Sequence, residues 1–272
     1  NVKAILKTKP FTTNSLGFRN SEFPVIAEKG KTRIAIMGRS ITMGSGVTDD
    51  EVYTQVLQDL FNVWKPDSIE IINCGVAGYS LKQMLDYYDG YVSNLKPDMV
   101  LIPLSPNDMT NKVYPIPPPL SQAKTSITNL KYHLSYTFTY YVIKTFVKRA
   151  TENIISVDWK ERVSQINKPQ TSTLTSESLL SEFISKRDQE GVKCYFFSPN
   201  RRADGSDQDK SGIKIFLSQY NETKYLSIND YVNDHIPENR YIYYPDTHPS
   251  KEMHALIANA LFQQLKTEVF EN

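Results

Sequence analysis

Four short blocks of the sequence carry side chains suited to chemistry. "GRSIT" places Ser40 directly after an apolar run, and "NCGVAGYS" places Gly78 after another. "SPND" places Asn107 and Asp108 after a third, and "DTHPS" places Asp246 and His248 just ahead of an amphipathic stretch. A serine hydroxyl is a weak nucleophile until a base accepts its proton. His248 is the best base in the chain, and Asp246, two residues away, can hold the other ring nitrogen. A tetrahedral oxyanion then needs N–H donors. The Gly78 backbone can give one with no side chain in the substrate's way, and the Asn107 amide can give another. The chemistry these residue types suit is acyl transfer through serine.

Taken singly, each residue has an ordinary reading. Ser40 can be a turn serine, Gly78 a positive-φ turn, Asn107 and Asp108 turn and cap residues, and Asp246-Thr247-His248 a helix-entry loop. What favours a site is their placement. The Gly-rich "GRSITMGSG" is not a phosphate cradle: it lacks a Gly-Lys-Ser/Thr ending, and its glycines do not fit G-x-G-x-x-G. His254 falls within the last helix and reads as packing or surface. His133 and His235 have no carboxylate partner visible in sequence. No His/Cys cluster has metal-ligand spacing, so no cofactor is expected.

The elements that must position these blocks are legible as alternating patterns. Five β-rich runs stand out, "RIAIM" (33–37), "IEIIN" (69–73), "MVLIPL" (99–104), "VKCYFF" (192–197) and "YLSI" (225–228). The first four are nearly continuous apolar runs, as in strands covered on both faces. Helical patterns lie between them. "DDEVYTQVLQDLFNVW" has Asp49 and Asp50 near its start, and "SLKQMLDYYDGYVSNL" can be capped by Ser80. "TSESLLSEFISKRDQEG" offers Ser176 or Thr175 for a capping box and stops at Gly191. The last helix has Pro249 at an N1-like position. Strands alternating with helices predict an α/β domain, a parallel sheet flanked by helices on both faces. Ligands of such sheets bind at the carboxyl ends of the strands, where all four polar blocks converge.

One domain over 1–272 is expected, with 1–30 an N-terminal extension and 111–172 a helical insertion. That insertion opens on "YPIPPPL" and continues into a Tyr-rich stretch whose Leu134, Phe138, Tyr141 and Phe146 can share a helical face. It is either a helix completing the core or a lid that walls the substrate. The 272 residues carry a formal net charge of +1, which gives no electrostatic case for nucleic acid or an anionic membrane. No apolar run approaches the ~20 residues of a membrane span. The first residues lack the apolar core of a signal peptide. A chain that opens on Asn leaves room for a targeting segment removed before it, and hence for an extracytoplasmic or secreted location. Cys74 and Cys194 read as buried free thiols.

In order and placement the four blocks resemble those of SGNH/GDSL-type hydrolases. That family has Gly-Asp-Ser after the first strand, Gly after the second, Gly-x-Asn-Asp after the third and Asp-x-x-His before the last helix. The likeness covers about residues 12–265, and "NSLGFRNSEFP" (14–24) is similar to the N-terminal segment of one bacterial branch. The resemblance implies a three-layer αβα fold with a mostly parallel five-stranded sheet, flavodoxin-like in order. It implies Ser40 as nucleophile, His248 as base, and the Ser40 N–H with Gly78 and Asn107 as the oxyanion hole. The activity implied is hydrolysis of a small acyl ester, an acetyl group on a glycan among the candidates.

Three positions depart from the family pattern. Arg39 stands where the family has Asp, Ser105 where it has Gly, and Pro245 where it has the Asp three residues before His, leaving Asp246 at minus two. Arg39 and Tyr79 are candidate substrate contacts. Because of Arg39, a catalytically weakened binding relative is one alternative, and on that reading Arg39→Asp would restore turnover. An O-acyltransferase on the same fold is the other.

Overall fold

A computed structural model of the protein describes residues 3–6, 9–105, 108, 114–115, 173–199, 213–220, 224–236 and 248–271. Asn107, Asp246, His133 and the aromatic stretch with Leu134, Phe138, Tyr141 and Phe146 lie outside them. The chain divides into two compact units, Asn1–Lys112 with Ser176–Asn272, and Val113–Thr175. Of the second, the described part is a two-stranded antiparallel pair, Tyr114–Pro115 with Thr173–Leu174.

In the first unit, an antiparallel hairpin, β1 (Lys3–Leu6) and β2 (Lys9–Thr12), precedes the main sheet. Then come β3 (Thr32–Gly38), α1 (Ser40–Met43), α2 (Tyr53–Trp64), β4 (Ile69–Gly75), α3 (Leu81–Gly90) and β5 (Met99–Pro103). With the short pair above as β6 and β7, the chain continues through α4 (Ser176–Gln189), β8 (Lys193–Phe197), α5 (Ile213–Leu217), β9 (Lys224–Leu226), α6 (Asn229–His235) and α7 (Lys251–Leu265). Among the described residues the main sheet has five parallel strands in the order β4-β3-β5-β8-β9. Its first strand in the chain therefore lies between its second and third, the doubly wound order whose reversal beside β3 opens a crevice at the strands' carboxyl ends.

Both faces of the sheet are covered, which is why its strands read as apolar runs. Successive side chains alternate between the faces. Ile34, Ile36, Ile71, Leu101 and Phe197 pack with Tyr53, Leu57 and Phe61 of α2 and with Met253, Ile257 and Leu261 of α7. On α3 and α4, Met84, Tyr88, Leu180 and Phe183 are also buried, with the Tyr88 and Phe183 rings edge to face at 5.2 Å. The two cysteines are buried free thiols, and burial pushes Cys194 up to about 12. Along the outer edge of β4, two side-chain amides take the place of a further strand. Gln58 bonds Ile69 O and Ile71 N–H, and Asn20 bonds Ile71 O and Asn73 N–H.

Three helix starts refine the sequence reading. α2 begins at Tyr53 behind Val52, because Asp49 is occupied elsewhere, by Thr12 and Arg19. α7 is capped by Ser250, whose hydroxyl accepts from Met253 N–H, so Pro249 precedes the cap rather than opening the helix. Ser176 is already helical and its buried hydroxyl has no hydrogen-bond partner among the described residues, so it caps none of their N–H groups. The Ser80 cap of α3 is present as a full capping box with Gln83.

Candidate active site

The turn that carries Ser40 is shaped by what is missing around it. Gly38 ends β3 at φ 153°, and a Cβ there would run into the Thr42 side chain and Pro103. Gly75, its register partner on β4, leaves room for the backbone of Thr42 and Met43, 2.3 Å from where its own Cβ would stand. The turn of α1 then closes through Met43 N–H to Arg39 O (2.8 Å) and Ser45 N–H to Ser40 O (2.9 Å). Ser40 is thus the first residue after the turn, half-buried at the carboxyl edge of the sheet. It lines a pocket of about 130 Å³ with Arg39, Ile41, Thr42, Pro103, Leu104, Ser105 and Pro199.

The underside of α1 is held by a buried polar network. Asn73 donates to Thr42 O (2.7 Å) and Thr54 Oγ1 (2.9 Å), and its Oδ1 accepts from Gly75 N–H. Thr42 Oγ1 shares a hydrogen bond with the Tyr53 hydroxyl (2.9 Å), and Tyr53 N–H donates to His254 Nδ1 (3.2 Å). The Tyr53 and His254 rings stack. Through Tyr53, the short helix that opens on Ser40 is linked to α7, the helix that follows His248. His254 is therefore a packing residue, as its place in the last helix suggested. Burial first, then the nearby Arg19 and His248, push it down to about 3, so it stays neutral with its proton on Nε2. From the N-terminal segment, Arg19 grips the chain after α1, donating to Met43 O, Gly44 O and Val47 O while pairing with Asp49.

The other predicted site residues fall as follows. Gly78 has φ 82°, is exposed, and has open space where a side chain would stand. Its turn-forming and its donor readings are thus compatible. Tyr79 is half-buried, with its ring edge to face with Tyr87. His248 is half-buried two residues before the cap of α7. Among the described residues no hydrogen bond joins the Ser40 hydroxyl to His248, which has interactions of its own. Such contacts are often long in the absence of substrate.

Arg39 is the residue whose surroundings the sequence did not disclose. Its Nε donates to Tyr79 O (2.7 Å), its Nη1 to Asp108 Oδ2 (2.9 Å) and its Nη2 to Asp108 Oδ1. Asp108, 3% exposed, also accepts from the Ser105 N–H and hydroxyl. Burial alone would raise the Asp108 pKa. The Arg39 hydrogen bond and charge and the two Ser105 bonds outweigh it, and the carboxyl lies below its usual range. A signal for this pair was available: opposite charges in two blocks that the fold brings to one edge.

No family model matches the chain, and no curated protein matches it either. Solved structures do. An acetyl-xylooligosaccharide esterase, Axe2 of Geobacillus stearothermophilus, is 17% identical with a TM-score of 0.51, covering 89% of this chain and 98% of that one. Two further structures of it are catalytic mutants, one with a serine and one with a histidine replaced by alanine. A psychrotrophic esterase, EstA of Pseudoalteromonas sp., is 16% identical with a TM-score of 0.50, covering 87% of this chain and 97% of that one. A two-domain esterase active on acetylated mannans is 16% identical with a TM-score of 0.51. There the likeness covers 87% of this chain and 50% of that one. The strand order, the helices on both faces of the sheet and these likenesses give the chain a three-layer αβα fold, shared with these esterases.

Proposed function

We propose that the protein is a serine ester hydrolase acting on small acyl esters, with an acetyl group on a carbohydrate as the leading candidate substrate. The observation that carries this reading is the position of Ser40. It stands at the carboxyl end of the first parallel strand, beside the sheet's switch point, and it opens on a pocket. The similar structures include esterases for acetylated xylo-oligosaccharides and mannans, which favours the same class of ester here.

In this reading His248 accepts the Ser40 proton as the hydroxyl oxygen attacks the ester carbonyl. The Ser40 and Gly78 N–H groups and the Asn107 amide receive the oxyanion. The alcohol leaves with the proton that His248 returns, and water then releases the acyl group by the same route. Asp246 orients His248. The test is acetate or p-nitrophenol release from acetyl esters by the chain and by Ser40→Ala. A loss of at least about 10⁴-fold is expected on removing the nucleophile. Equal rates in the two proteins would sink the proposal.

A further inference from the structure

Arg39 occupies the middle of the turn, between Gly38 and Ser40, yet its side chain reaches across the edge of the sheet. Its bonds to Tyr79 O and Asp108 end on two other turns. Tyr79 O belongs to the turn after β4, and Asp108 to the segment after β5. Each of the three anchor points is one residue from a group that the hydrolase reading assigns to the oxyanion. Arg39 precedes Ser40, Tyr79 follows Gly78, and Asp108 follows Asn107.

We propose that Arg39 is a positioning residue for the oxyanion hole, a clamp that sets the three donor-bearing turns against one another through Tyr79 O and Asp108. The inference rests on the hydrolase reading of the same site. The guanidinium is suited to the task because its planar fork meets a carboxylate on two parallel bonds and leaves Nε for a third direction. A lysine has the charge but not the fork. The pair is mostly withdrawn from water, with Arg39 28% and Asp108 3% exposed, so it is less screened than a surface ion pair. Asp108 is fixed in turn by the Ser105 N–H and hydroxyl. Ser105, where the family has Gly, thus contributes a hydroxyl that the glycine lacks.

The clamp reverses an expectation drawn from the motif alone. If Arg39 were a lesion, Arg39→Asp would restore turnover. In this structure that change sets a second carboxylate beside the buried Asp108, which disfavours both charges and parts the turns. For the same reason Arg39 is not a free cation awaiting an anionic substrate, since its fork already holds a carboxylate.

The experiment uses the full chain, an acetyl ester and a fluorophosphonate label for Ser40, with unfolding midpoints recorded for every variant. Arg39→Gln is expected to lower kcat by about 100-fold, the scale of a small misplacement of reacting groups, with KM changed less than about twofold. The rate of Ser40 labelling should fall in parallel. Arg39→Lys should recover part of the loss, and Arg39→Asp should be worse than Arg39→Gln. A structural role alone would lower the midpoint but leave kcat per folded molecule intact. If Arg39→Gln does not fold, Arg39→Lys and Asp108→Asn carry the same comparison. The clamp is overturned if Arg39→Asp raises turnover, or if Arg39→Gln leaves kcat unchanged and raises KM only for anionic esters. It is equally overturned if labelling of the variants matches that of the parent. Absence of both turnover and labelling in the parent chain removes the hydrolase reading and the clamp with it. That result differs from a labelled parent with unaffected variants, which removes the clamp alone.

Discussion

The two ends of β3 are each tied by an arginine, and the ties differ in kind. At the amino end Arg33 is fully buried. It pairs with Glu70 and donates to the carbonyls of Pro24, Val25 and Leu95, so one guanidinium binds the N-terminal segment, β4 and the turn before β5. One residue past the carboxyl end, Arg39 also joins three segments, but it is 28% exposed and lines the pocket with Ser40. The contacts at the amino end are mainly to carbonyls of chain packed over the strand, far from any of the four polar blocks. Those at the carboxyl end run between the turns that bear the polar blocks. In a doubly wound sheet the same residue type thus serves stability at one end and site geometry at the other, because ligands enter only at the carboxyl ends.

The largest expected effect breaks the comparison at its stable end. Arg33→Met leaves Glu70 without its partner and three carbonyls without a donor, a loss of about 3–5 kcal/mol. Denaturant unfolding would record it as a fall in midpoint. Turnover per folded molecule should stay near that of the parent, in contrast to Arg39→Gln. A kcat loss in Arg33→Met as deep as that of Arg39→Gln would show that the two ends are not separable.

How much of this was visible in the sequence depended on distance along the chain. The five strands were legible because burial on both faces writes itself as an apolar run, as in Ile34–Met37 and Val100–Leu104. The Ser80 cap was legible because its partner, Gln83, is three residues away. Contacts formed across tens of residues left no local pattern. Asp49 could look like part of a helix start only while Thr12 and Arg19 were unseen. The bond from Tyr53 to His254 spans 201 positions. Arg39 looked like damage to a motif because its compensating carboxylate lies 69 residues on. Asn107 and Asp246 remain expectations from spacing and resemblance.

The next effect in size separates the layer beneath the site from the clamp by pH. His254 holds its proton less readily when folded, at about 3, than the ordinary imidazole at 6.5. Between those values the unfolded chain binds a proton that the folded chain refuses. The stability present above pH 6.5 is therefore lost as pH falls toward 3, by about 2 kcal/mol between pH 7 and pH 5. Asp108 is also depressed when folded, but its contribution is lost only as pH falls below the ordinary carboxylate range near 4. Unfolding curves should show the His254 loss alone between pH 7 and 5, and between pH 5 and 3.5 its continuation together with the onset of the Asp108 loss. His254→Gln should flatten the first interval and leave only the Asp108 part of the second. A first loss that persists in His254→Gln would assign it to another group.

The smallest expected effect tests whether Ser40 is set from below as well as from across. Tyr53→Phe deletes one hydroxyl, breaking the link to Thr42 while leaving the Tyr53 N–H bond to His254 and the ring stack in place. Thr42 Oγ1 keeps its longer bond to Met37 O (3.3 Å), so it is not left wholly unsatisfied. A stability loss of about 1 kcal/mol is expected. Because Asn73 still holds Thr42 O, Gly75 still admits the backbone of Met43 and Arg19 still holds Met43 O, α1 retains its other supports. Turnover should therefore fall by no more than about threefold, well short of the effect at Arg39, whose removal frees three turns at once. Side-by-side kcat values for Tyr53→Phe and Arg39→Gln decide the matter. Losses of equal depth would mean that Ser40 is positioned chiefly by the buried network under α1, and that the difference between the two ends of β3 does not originate in the clamp.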